Sequence, residues 1–332
     1  MRRLRIGVLG VGRMGTLHAG NISGSARRAE LVAVADPIKK LSRMVARRFG
    51  VRAYESAAEM LMKEELDGVL IVTPTPLHVE HVALASEAHV PMLLEKPIAL
   101  TLKDADRIVS IIRRSGVKFQ LGYNRRFDPG YQKAKRMILD GSIGKPIMVK
   151  TCARDPEPPP ENYIPVSGGI FLDECIHDID IALWLMNSKV KRVSAVGRTL
   201  VYPQFAKYRD YDNAIAILHY QTGALGVIEG SRTSKYGYDL RTEILGSQGA
   251  ITIGNWKNDS ARLMTKEGTI DAPYPWFWGR FAEAYKLELE AFYDYISHGT
   301  RSPVSAEEGR ASVQVALAAT ESARTEKVVT IR

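Results

Sequence analysis

Two features are scarce in this sequence: cysteine and long apolar runs. A membrane-spanning helix needs about 20 consecutive, mostly apolar residues, and no segment reaches that length. The apolar run at residues 6–9 is soon interrupted by glycines and Arg13, which argues against a secretory signal peptide. Cys152 and Cys175 form no CxxC pair and have no zinc-ligand spacing. We therefore expect no membrane association, no bound metal, and free thiols in a reducing cytoplasm.

Charge and length indicate an ordinary globular chain. The formal net charge is +9 over 332 residues, but Lys and Arg are spread along the chain and form no basic arm. This distribution does not predict nucleic-acid binding. A chain of this length with 45% hydrophobic residues can bury a large core, and we expect two domains.

A glycine-rich turn follows the first predicted strand and precedes a predicted helix. Gly10, Gly12 and Gly15 have the pattern G-x-G-x-x-G. In a dinucleotide-binding unit the first glycine permits a tight turn, the second lets the backbone approach a pyrophosphate, and the third allows close helix packing. The phosphates then lie at the helix N-terminus, so Arg13 and Met14 join the candidate cofactor-binding residues.

An acid after the second predicted strand indicates which nucleotide is bound. The apolar residues 31–35 end in Asp36, about 20 residues after the glycines, as the dinucleotide fingerprint requires. A carboxylate at this place accepts hydrogen bonds from the adenosine ribose hydroxyls and repels a 2′-phosphate. The prediction is NAD rather than NADP, although Lys39 and Lys40 add positive charge nearby.

Polar residues also follow two later strands of the same unit. Alternating strand and helix patterns predict a doubly wound parallel sheet, whose ligands bind at the carboxyl ends of the strands. Pro97 restrains Lys96 to extended or turn conformations and raises the chance of a cis bond. Without a ligand, these segments are a proline-rich turn and a solvated lysine. The candidate cofactor-binding residues at this edge are Thr73, Thr75, His78, Glu95 and Lys96.

A polar stripe lies in the middle of the chain. Asp173, His177 and Asp180 follow the glycine pair Gly168-Gly169 at i, i+4 and i+7, so one continuous helix would place all three on one face. Apolar residues flank the stripe, and the helix is expected to be largely buried. Buried carboxylates and a buried imidazole are unfavourable unless they are paired or used. The stripe is either a satisfied polar network or part of an active site.

The second half of the chain predicts a different kind of sheet. Short turns at residues 221–223 and 246–249 join strand-like segments, which indicates antiparallel neighbours. Residues 281–298 and 305–325 have the pattern of amphipathic helices. The strand-like segments are residues 146–153, 190–200, 213–220, 225–231, 240–245 and 250–254.

Taken together and in this order, the motifs resemble the Gfo/Idh/MocA oxidoreductases, and within that family the inositol 2-dehydrogenase branch. The resemblance covers nearly the whole chain. The motifs that carry it are the glycines of residues 10–15, Glu95-Lys96-Pro97, Gly122-Tyr123-Asn124-Arg125-Arg126-Phe127, and Gly168-Gly169 through Asp173, His177, Asp178 and Asp180.

The resemblance implies an α/β protein of two domains. Residues 1–122 would form an N-terminal Rossmann domain that binds NAD. Residues 123–332 would form a C-terminal α+β domain with an open, mostly antiparallel sheet, for substrate binding and oligomerisation. Members of the family often form tetramers in which these sheets pack face to face, so we expect a homotetramer or a homodimer.

The resemblance also implies that a secondary alcohol is oxidised to a ketone, with hydride transfer to the nicotinamide and loss of the hydroxyl proton. His177 would then be the general base, and Asp173 would position its imidazole or relay its charge. Lys96 would donate a hydrogen bond to the reacting oxygen. In the alternative, Lys96 is the first proton acceptor, and coupled titration leaves both assignments open.

Carboxylates among the candidate residues indicate a neutral polyol, because they accept hydrogen bonds from vicinal hydroxyls and repel a phosphate or an acid. Many family members carry a histidine in the segment where this chain has Arg154-Asp155-Pro156-Glu157, which leaves the inositol isomer or sugar open. The candidate substrate-binding residues are Lys96, Arg126, Asp155, Asp173, His177, Asp180 and Tyr236.

Two other functions stay open. One is oxidation or reduction of another sugar, such as an aldose, a keto-sugar or a trans-dihydrodiol. The other is NAD binding without catalysis, which the combined presence of Lys96, Asp173 and His177 argues against. A metal enzyme is not expected, because Cys175 would project about 160° away from His177 on a helix.

Overall fold

The computed structural model describes residues 2–25, 27–254, 263–266, 268–270 and 274–331. The chain divides into two compact units, Met1–Phe127 with Glu283–Val313, and Asp128–Ala282 with Gln314–Arg332. The domain boundary after residue 122 stays a prediction, and the packing adds a segment from late in the chain to the first unit. Across the described ranges, no helix combines the length and the apolar character that a membrane span requires.

Short apolar segments form the parallel sheet of the first unit. Its strands are β1 (Leu4–Leu9), β2 (Ala29–Ala35), β3 (Arg52–Tyr54), β4 (Gly68–Ile71), β5 (Met92–Glu95) and β6 (Phe119–Gly122). Every residue of β4, β5 and β6 is buried, as expected for a sheet covered on both faces. The order β3-β2-β1-β4-β5-β6, with all pairs parallel, is that of a Rossmann sheet and confirms the predicted fold. The intervening helices are α1 (Arg13–Gly24), α2 (Lys39–Phe49), α3 (Ala57–Lys63), α4 (His78–Glu87) and α5 (Leu102–Ser115).

The second unit contains a mixed sheet. Its strands are β7 (Pro146–Arg154), β8 (Val190–Arg198), β9 (Asn213–Tyr220), β10 (Leu225–Ser231), β11 (Asp239–Gly246) and β12 (Ala250–Ile253). β13 (Leu263–Thr265) and β14 (Gly268–Ile270) form a two-stranded sheet, and β15 (Val329–Thr330) joins the large sheet next to β8. In the order β12-β11-β7-β10-β9-β8-β15, only β7 and β10 are parallel, so the predicted mostly antiparallel sheet is confirmed.

The remaining helices carry the polar stripe and the C-terminal end of the chain. They are α6 (Pro129–Leu139), α7 (Ile164–Ser167), α8 (Ile170–Asp173), α9 (Ile176–Met186), α10 (Gln204–Lys207), α11 (Phe277–Arg280), α12 (Ala282–His298) and α13 (Ala306–Thr325).

Helix α12 completes the core of the first unit. Its residues Leu289, Phe292 and Tyr293 are fully buried in one apolar cluster with Ile6 of β1 and Leu70 of β4. Removal of this apolar area from water, at about 25 cal/mol per Å², stabilises the docking of the helix. The burial explains why Glu283–Val313 groups with a sheet formed much earlier in the chain.

The helix predicted to start at the glycine pair is interrupted. Gly168 and Gly169 have φ values of 85° and 86°, and Gly169 immediately precedes α8, as predicted. However, α8 ends at Asp173 and α9 begins at Ile176. The prediction of one continuous helix through the polar stripe is therefore wrong at the two residues between them.

Both of these residues are held by the end of β10. The Glu174 carboxylate accepts a hydrogen bond from the Ser231 backbone N–H at 3.1 Å and lies 3.3 Å from Arg232 Nε. A Cβ added to Gly230 would lie only 2.3 Å from the Cys175 sulfur, so the glycine lets this thiol pack against the strand. These tertiary contacts account for the break.

Glu288 of α12 is a buried carboxyl group with an elevated pKa. The side chain is fully buried, and neither carboxyl oxygen has a hydrogen-bond partner among the described residues. Burial raises the pKa of Glu288 well above its usual range, and the negative charge of Glu95 raises it further. For Glu95, burial favours the neutral acid, but the hydrogen bond and charge of His18 lower its pKa overall. Of these two carboxyl groups, Glu288 is therefore the one whose protonated form is favoured.

The substitution Glu288→Gln is expected to make the free energy of unfolding less sensitive to high pH. Because the folded-state pKa is raised, the stabilisation is fully present below the unfolded pKa of about 4.3 and is lost as the pH rises through the folded value. Glutamine cannot ionise, so the variant should gain about 1.4 kcal/mol relative to wild type across this pH range for each unit of pKa elevation. Urea unfolding at a series of pH values measures the difference.

The exposed Glu283 on the same helix provides the control. Glu283→Gln should leave the pH dependence of unfolding as it is in the wild type. Parallel stability curves for Glu288→Gln and wild type over the whole pH range would contradict the assignment.

Candidate active site

The glycine-rich loop leaves open space at one of its three glycines. Gly10 has a φ of 82°, and a Cβ there would lie 2.6 Å from the Val72 carbonyl oxygen. A Cβ on Gly15 would lie 1.9 Å from the Gly10 carbonyl oxygen, whereas a Cβ on Gly12 would meet nothing within 4 Å. Gly12 immediately precedes α1 and provides no side-chain cap for its N–H groups. The open space beside Gly12, at the N-terminus of α1, therefore fits a pyrophosphate.

Arg13 and Met14 begin helix α1, directly after Gly12. Arg13 is exposed and Met14 is half-buried. Both side chains thus lie in the first turn of the helix, where the candidate phosphate site is.

Asp36 lies at the end of β2 and binds the loop backbone. Its Oδ2 accepts a hydrogen bond from the Val11 N–H at 3.0 Å, and its Oδ1 accepts one from the Ile38 N–H at 2.9 Å. A carboxylate offers about four acceptor sites, so two remain for ribose hydroxyls. Lys39 pairs with Glu55 at 2.8 Å, which offsets the nearby positive charge.

The residues after β4 are largely bonded to one another. Thr73 Oγ1 lies 2.9 Å from His81 Nδ1, and the Thr73 carbonyl oxygen lies 3.0 Å from His78 Nε2. His78 Nδ1 is 3.3 Å from the Ile98 carbonyl oxygen, and burial lowers the His78 pKa, so the neutral ring donates from one nitrogen only. Thr75, at the start of a short 3₁₀ turn, is half-buried like Thr73, whereas His78 is buried.

Glu95 anchors the backbone beside Lys96. Its Oε1 lies 2.9 Å from His18 Nε2, and its Oε2 accepts the Lys96 N–H at 3.0 Å. His18 extends from α1 and packs edge to face against the Tyr285 ring, with the two ring centres 5.7 Å apart. The Lys96–Pro97 bond is cis, and Lys96 is half-buried. The helix behind the glycine loop and the backbone of the candidate catalytic lysine thus share one carboxylate.

Arg126 lies in the 3₁₀ turn Asn124–Phe127 and is almost fully buried. Its Nη1 is 2.6 Å from Glu308 Oε1. Burial acts to raise the Glu308 pKa, but the Arg126 charge and Ser305 lower it overall. Glu308 and Ser305 also form a reciprocal capping box at the start of α13.

The polar stripe contains two accessible groups and one buried group. Asp173 Oδ1 accepts a hydrogen bond from the Tyr163 hydroxyl at 3.0 Å, and Oδ2 accepts one from Arg232 Nη2 at 3.0 Å. The Asp173 side chain is 16% exposed. His177, at the second position of α9, is half-buried, whereas Asp180 is only 1% exposed.

The structure places Asp155 close to the break between α8 and α9. Burial raises the pKa of Glu174 well above its usual range, and the charge of Asp155 is the next contribution. Tyr236 is exposed, with its hydroxyl 2.9 Å from Arg154 Nη1 and 2.7 Å from Asp239 Oδ2.

Three partners of candidate residues carry no sequence signal strong enough to identify them. They are His18, Tyr163 and Arg232. Only His18 follows a motif at a fixed distance, three residues after the last glycine of the loop. Within the described ranges, no group of three or more His, Cys, Asp or Glu side chains is arranged for a metal ion.

The parallel sheet, its glycine loop and Asp36 define an NAD-binding Rossmann unit of an oxidoreductase. Residues 4–123 match the family model for the NAD-binding Rossmann fold of the oxidoreductase family, and residues 135–331 match that for its C-terminal alpha/beta domain. The chain belongs to the Gfo/Idh/MocA oxidoreductase family, which confirms the resemblance drawn from the motifs.

Several relatives match over nearly their whole length. The chain is 39% identical to the scyllo-inositol 2-dehydrogenase (NAD(+)) of Bacillus subtilis, covering 97% of this chain and 94% of the relative. It is 38% identical to the myo-inositol 2-dehydrogenase of Thermotoga maritima, covering 96% of each. The crystal structure of the scyllo-inositol dehydrogenase of Lactobacillus casei with bound NAD(H) and scyllo-inositol superposes with a TM-score of 0.92, at 28% identity over 99% of both chains.

Proposed function

We propose that the protein oxidises a secondary hydroxyl of a neutral cyclic polyol, myo-inositol or a related inositol or sugar, to the ketone, with NAD as hydride acceptor. The observation that carries the proposal is the place of Lys96. It follows β5 at the carboxyl edge of the sheet, where the glycine loop follows β1 and Asp36 follows β2. Ligands of doubly wound sheets bind along this edge. The names of the relatives from Bacillus subtilis and Thermotoga maritima support the substrate class.

The roles of the catalytic residues follow from the proton balance of the reaction. Bound NAD accepts the hydride from the carbinol carbon, and the chain accepts the hydroxyl proton. His177 is the general base, Asp173 positions its imidazole, and Lys96 donates a hydrogen bond to the oxygen as negative charge develops. In the alternative, Lys96 takes the proton first and His177 receives it afterwards.

A neutral substrate fits the charges of the candidate residues. Carboxylates accept hydrogen bonds from neighbouring hydroxyls and repel an anionic substrate. The proposed substrate-binding residues are Lys96, Arg126, Asp155, Asp173, His177, Asp180 and Tyr236.

One observation supports a second substrate class within the same reaction. In the segment of residues 154–157, Arg154 is bonded to Glu229 at 2.6 Å and to Tyr236 at 2.9 Å. A guanidinium beside Asp155 changes the hydrogen-bond donors available to a substrate hydroxyl. The second candidate is therefore a dehydrogenase of another sugar, such as an aldose, a keto-sugar or a trans-dihydrodiol.

A cytoplasmic location is part of the proposal. Neither of the two cysteines, Cys152 and Cys175, forms a disulfide, which fits a reducing compartment. Fractionation of cells that produce the protein checks this location.

A panel of inositol isomers and aldoses, assayed with NAD and NADP side by side, tests the activity. We expect reduction of NAD with at least one inositol and a higher kcat/KM with NAD than with NADP, because Asp36 repels the 2′-phosphate. Asp36→Ser should lower the ratio of kcat/KM with NAD to kcat/KM with NADP by about tenfold or more. A tenfold change is equivalent to roughly 1.4 kcal/mol.

Asp106→Ser makes the same chemical change at an exposed position on α5, outside the proposed cofactor site, and is the control. An absence of nicotinamide reduction with every compound would refute the activity. Higher specificity constants for aldoses than for inositols would select the second candidate.

Substitution of the proposed catalytic residues should remove turnover without loss of NAD binding. His177→Ala is expected to lower kcat by about 10²–10⁴-fold, because it removes the general base. Lys96→Ala should cause a loss of similar order, because it removes the donor to the reacting oxygen. Initial rates and NAD titration by fluorescence measure the two effects separately.

Lys103→Ala and His298→Ala make the same chemical changes at exposed positions outside the proposed site. They should keep wild-type rates. If His177→Ala or Lys96→Ala also turns over at the wild-type rate, the assignment of that residue is wrong.

A homo-oligomer, a tetramer or alternatively a dimer, is also part of the proposal. One face of the second sheet exposes apolar side chains on neighbouring strands, including Val196 of β8 and Ile215 and Ile217 of β9, each more than 40% exposed. Burial of such a face against another copy of the chain would remove it from water.

The double substitution Ile215→Lys and Ile217→Lys should lower the mass of the assembly, because two charges would have to be buried at the contact. Sedimentation velocity measures the mass. Leu139→Lys, at an exposed site on α6, is the control. A wild-type protein that sediments as a monomer, or a double variant with unchanged mass, would contradict the proposed contact.

A further inference from the structure

Arg232 is the largest of the fully buried side chains in the described part of the chain. It comes directly after β10, and its backbone N–H donates to the Asp212 carbonyl oxygen at 2.9 Å. The guanidinium carries a permanent charge, and its side chain is only 1% exposed. A buried charge of this kind persists only if its surroundings supply compensating partners.

The partners are three carboxylates and an aromatic ring. Nη2 lies 3.0 Å from Asp173, Nη1 lies 3.0 Å from Asp210, and Nε lies 3.3 Å from Glu174. The Phe205 ring centre is 4.8 Å from the guanidinium carbon. Burial acts to lower the Arg232 pKa, but the three carboxylates raise it overall. Every nitrogen of the planar fork is therefore used, which fixes its orientation.

The three carboxylates differ in their access to solvent. The side chains of Glu174 and Asp210 are each 6% exposed, whereas that of Asp173 is 16% exposed. Burial raises the pKa of Glu174 well above its usual range, and the Arg232 charge acts in the opposite direction. Asp173 is thus the accessible carboxylate of the cluster, and the other two anchor the arginine.

Asp210 also binds the helix that carries Asp173. Its Oδ1 accepts a hydrogen bond from the N–H of Ile170, the first residue of α8, at 2.9 Å. A Cβ on Gly169 would lie 3.1 Å from the same oxygen, so this glycine permits the close approach. The start of α8 and the carboxylate at its end are therefore both tied to the Arg232–Asp210 pair.

We propose that Arg232 is a positioning residue, which holds the Asp173 carboxylate in the orientation needed for catalysis and does not touch the substrate. This inference rests on the proposed role of Asp173. Arg232 Nη2 binds one oxygen of Asp173, and the Tyr163 hydroxyl binds the other. Because both oxygens are bound, the Asp173 side chain keeps one rotamer. Its exposed part then stays in the orientation proposed for positioning His177. Buried partners that orient a reacting group typically change rates by large factors.

Arg232→Lys tests the proposal, because it keeps the charge and removes the fork. We expect kcat to fall by about tenfold or more with little change in KM or in NAD affinity, and the pH profile of kcat to shift. In the crystal structure of the variant, the Asp173 carboxylate should leave its wild-type rotamer. In an Asp173→Asn background, Arg232→Lys should cause no further loss of kcat.

Arg198→Lys makes the same change at an exposed ion pair with Glu326 and should behave as the wild type. If Arg232→Lys does not fold, Asp210→Asn replaces it, because the amide keeps the acceptor for Ile170 and removes one charge that holds the arginine. The same displacement of Asp173 and the same loss of kcat are then expected.

The outcomes separate this inference from the proposed function. If the wild type oxidises no compound of the panel, the proposed function fails, and the position of Asp173 in the variant crystal structure still decides whether Arg232 holds it. An unchanged Asp173 rotamer would overturn the inference. If the wild type is active, an Arg232→Lys variant with the kcat and the pH profile of the wild type would also overturn the inference.

Discussion

A charge that leaves water needs a partner, and this constraint organises the candidate residues of both units. Asp36 is satisfied by backbone N–H groups, and Glu95 by His18 and a backbone N–H. Arg232 is satisfied by three carboxylates, one of which is Asp173. In each case the pairing that makes burial tolerable also fixes a group proposed to bind cofactor or to act in catalysis.

A buried carboxyl group that has too few partners favours its neutral, protonated form over the charged form. Glu174 shares one guanidinium with two other carboxylates, and Glu288 lies close to Glu95 with no hydrogen-bond partner among the described residues. Burial raises the pKa of both Glu174 and Glu288, because it disfavours the charged form of each carboxyl group. The exclusion of water that accompanies packing therefore also shifts the ionisation of these buried acids.

Periodicity and spacing predicted most of the fold and part of the site. Strands β9 and β10 have the predicted boundaries, and the glycine loop is confirmed as part of an NAD-binding Rossmann unit. The prediction of a single helix through the polar stripe was wrong. A 3.6-residue pattern does not indicate a break that is caused by contacts with another part of the fold, here the end of β10. Asp173 and His177 accordingly lie in different helices, and their spacing alone does not establish a common face.

The sequence by itself determined the order of strands and helices, the family and the dinucleotide-binding loop, because these depend on local periodicity and on motifs with fixed spacing. Only the tertiary structure decided how the candidate side chains are held. Glu95 meets His18 across 77 residues, and Arg232 meets Asp173 across 59 residues. No periodicity spans such separations, since the partners come together only when strands and helices pack. The burial of Arg232 and Glu288, and hence their electrostatic behaviour, is a property of that packing.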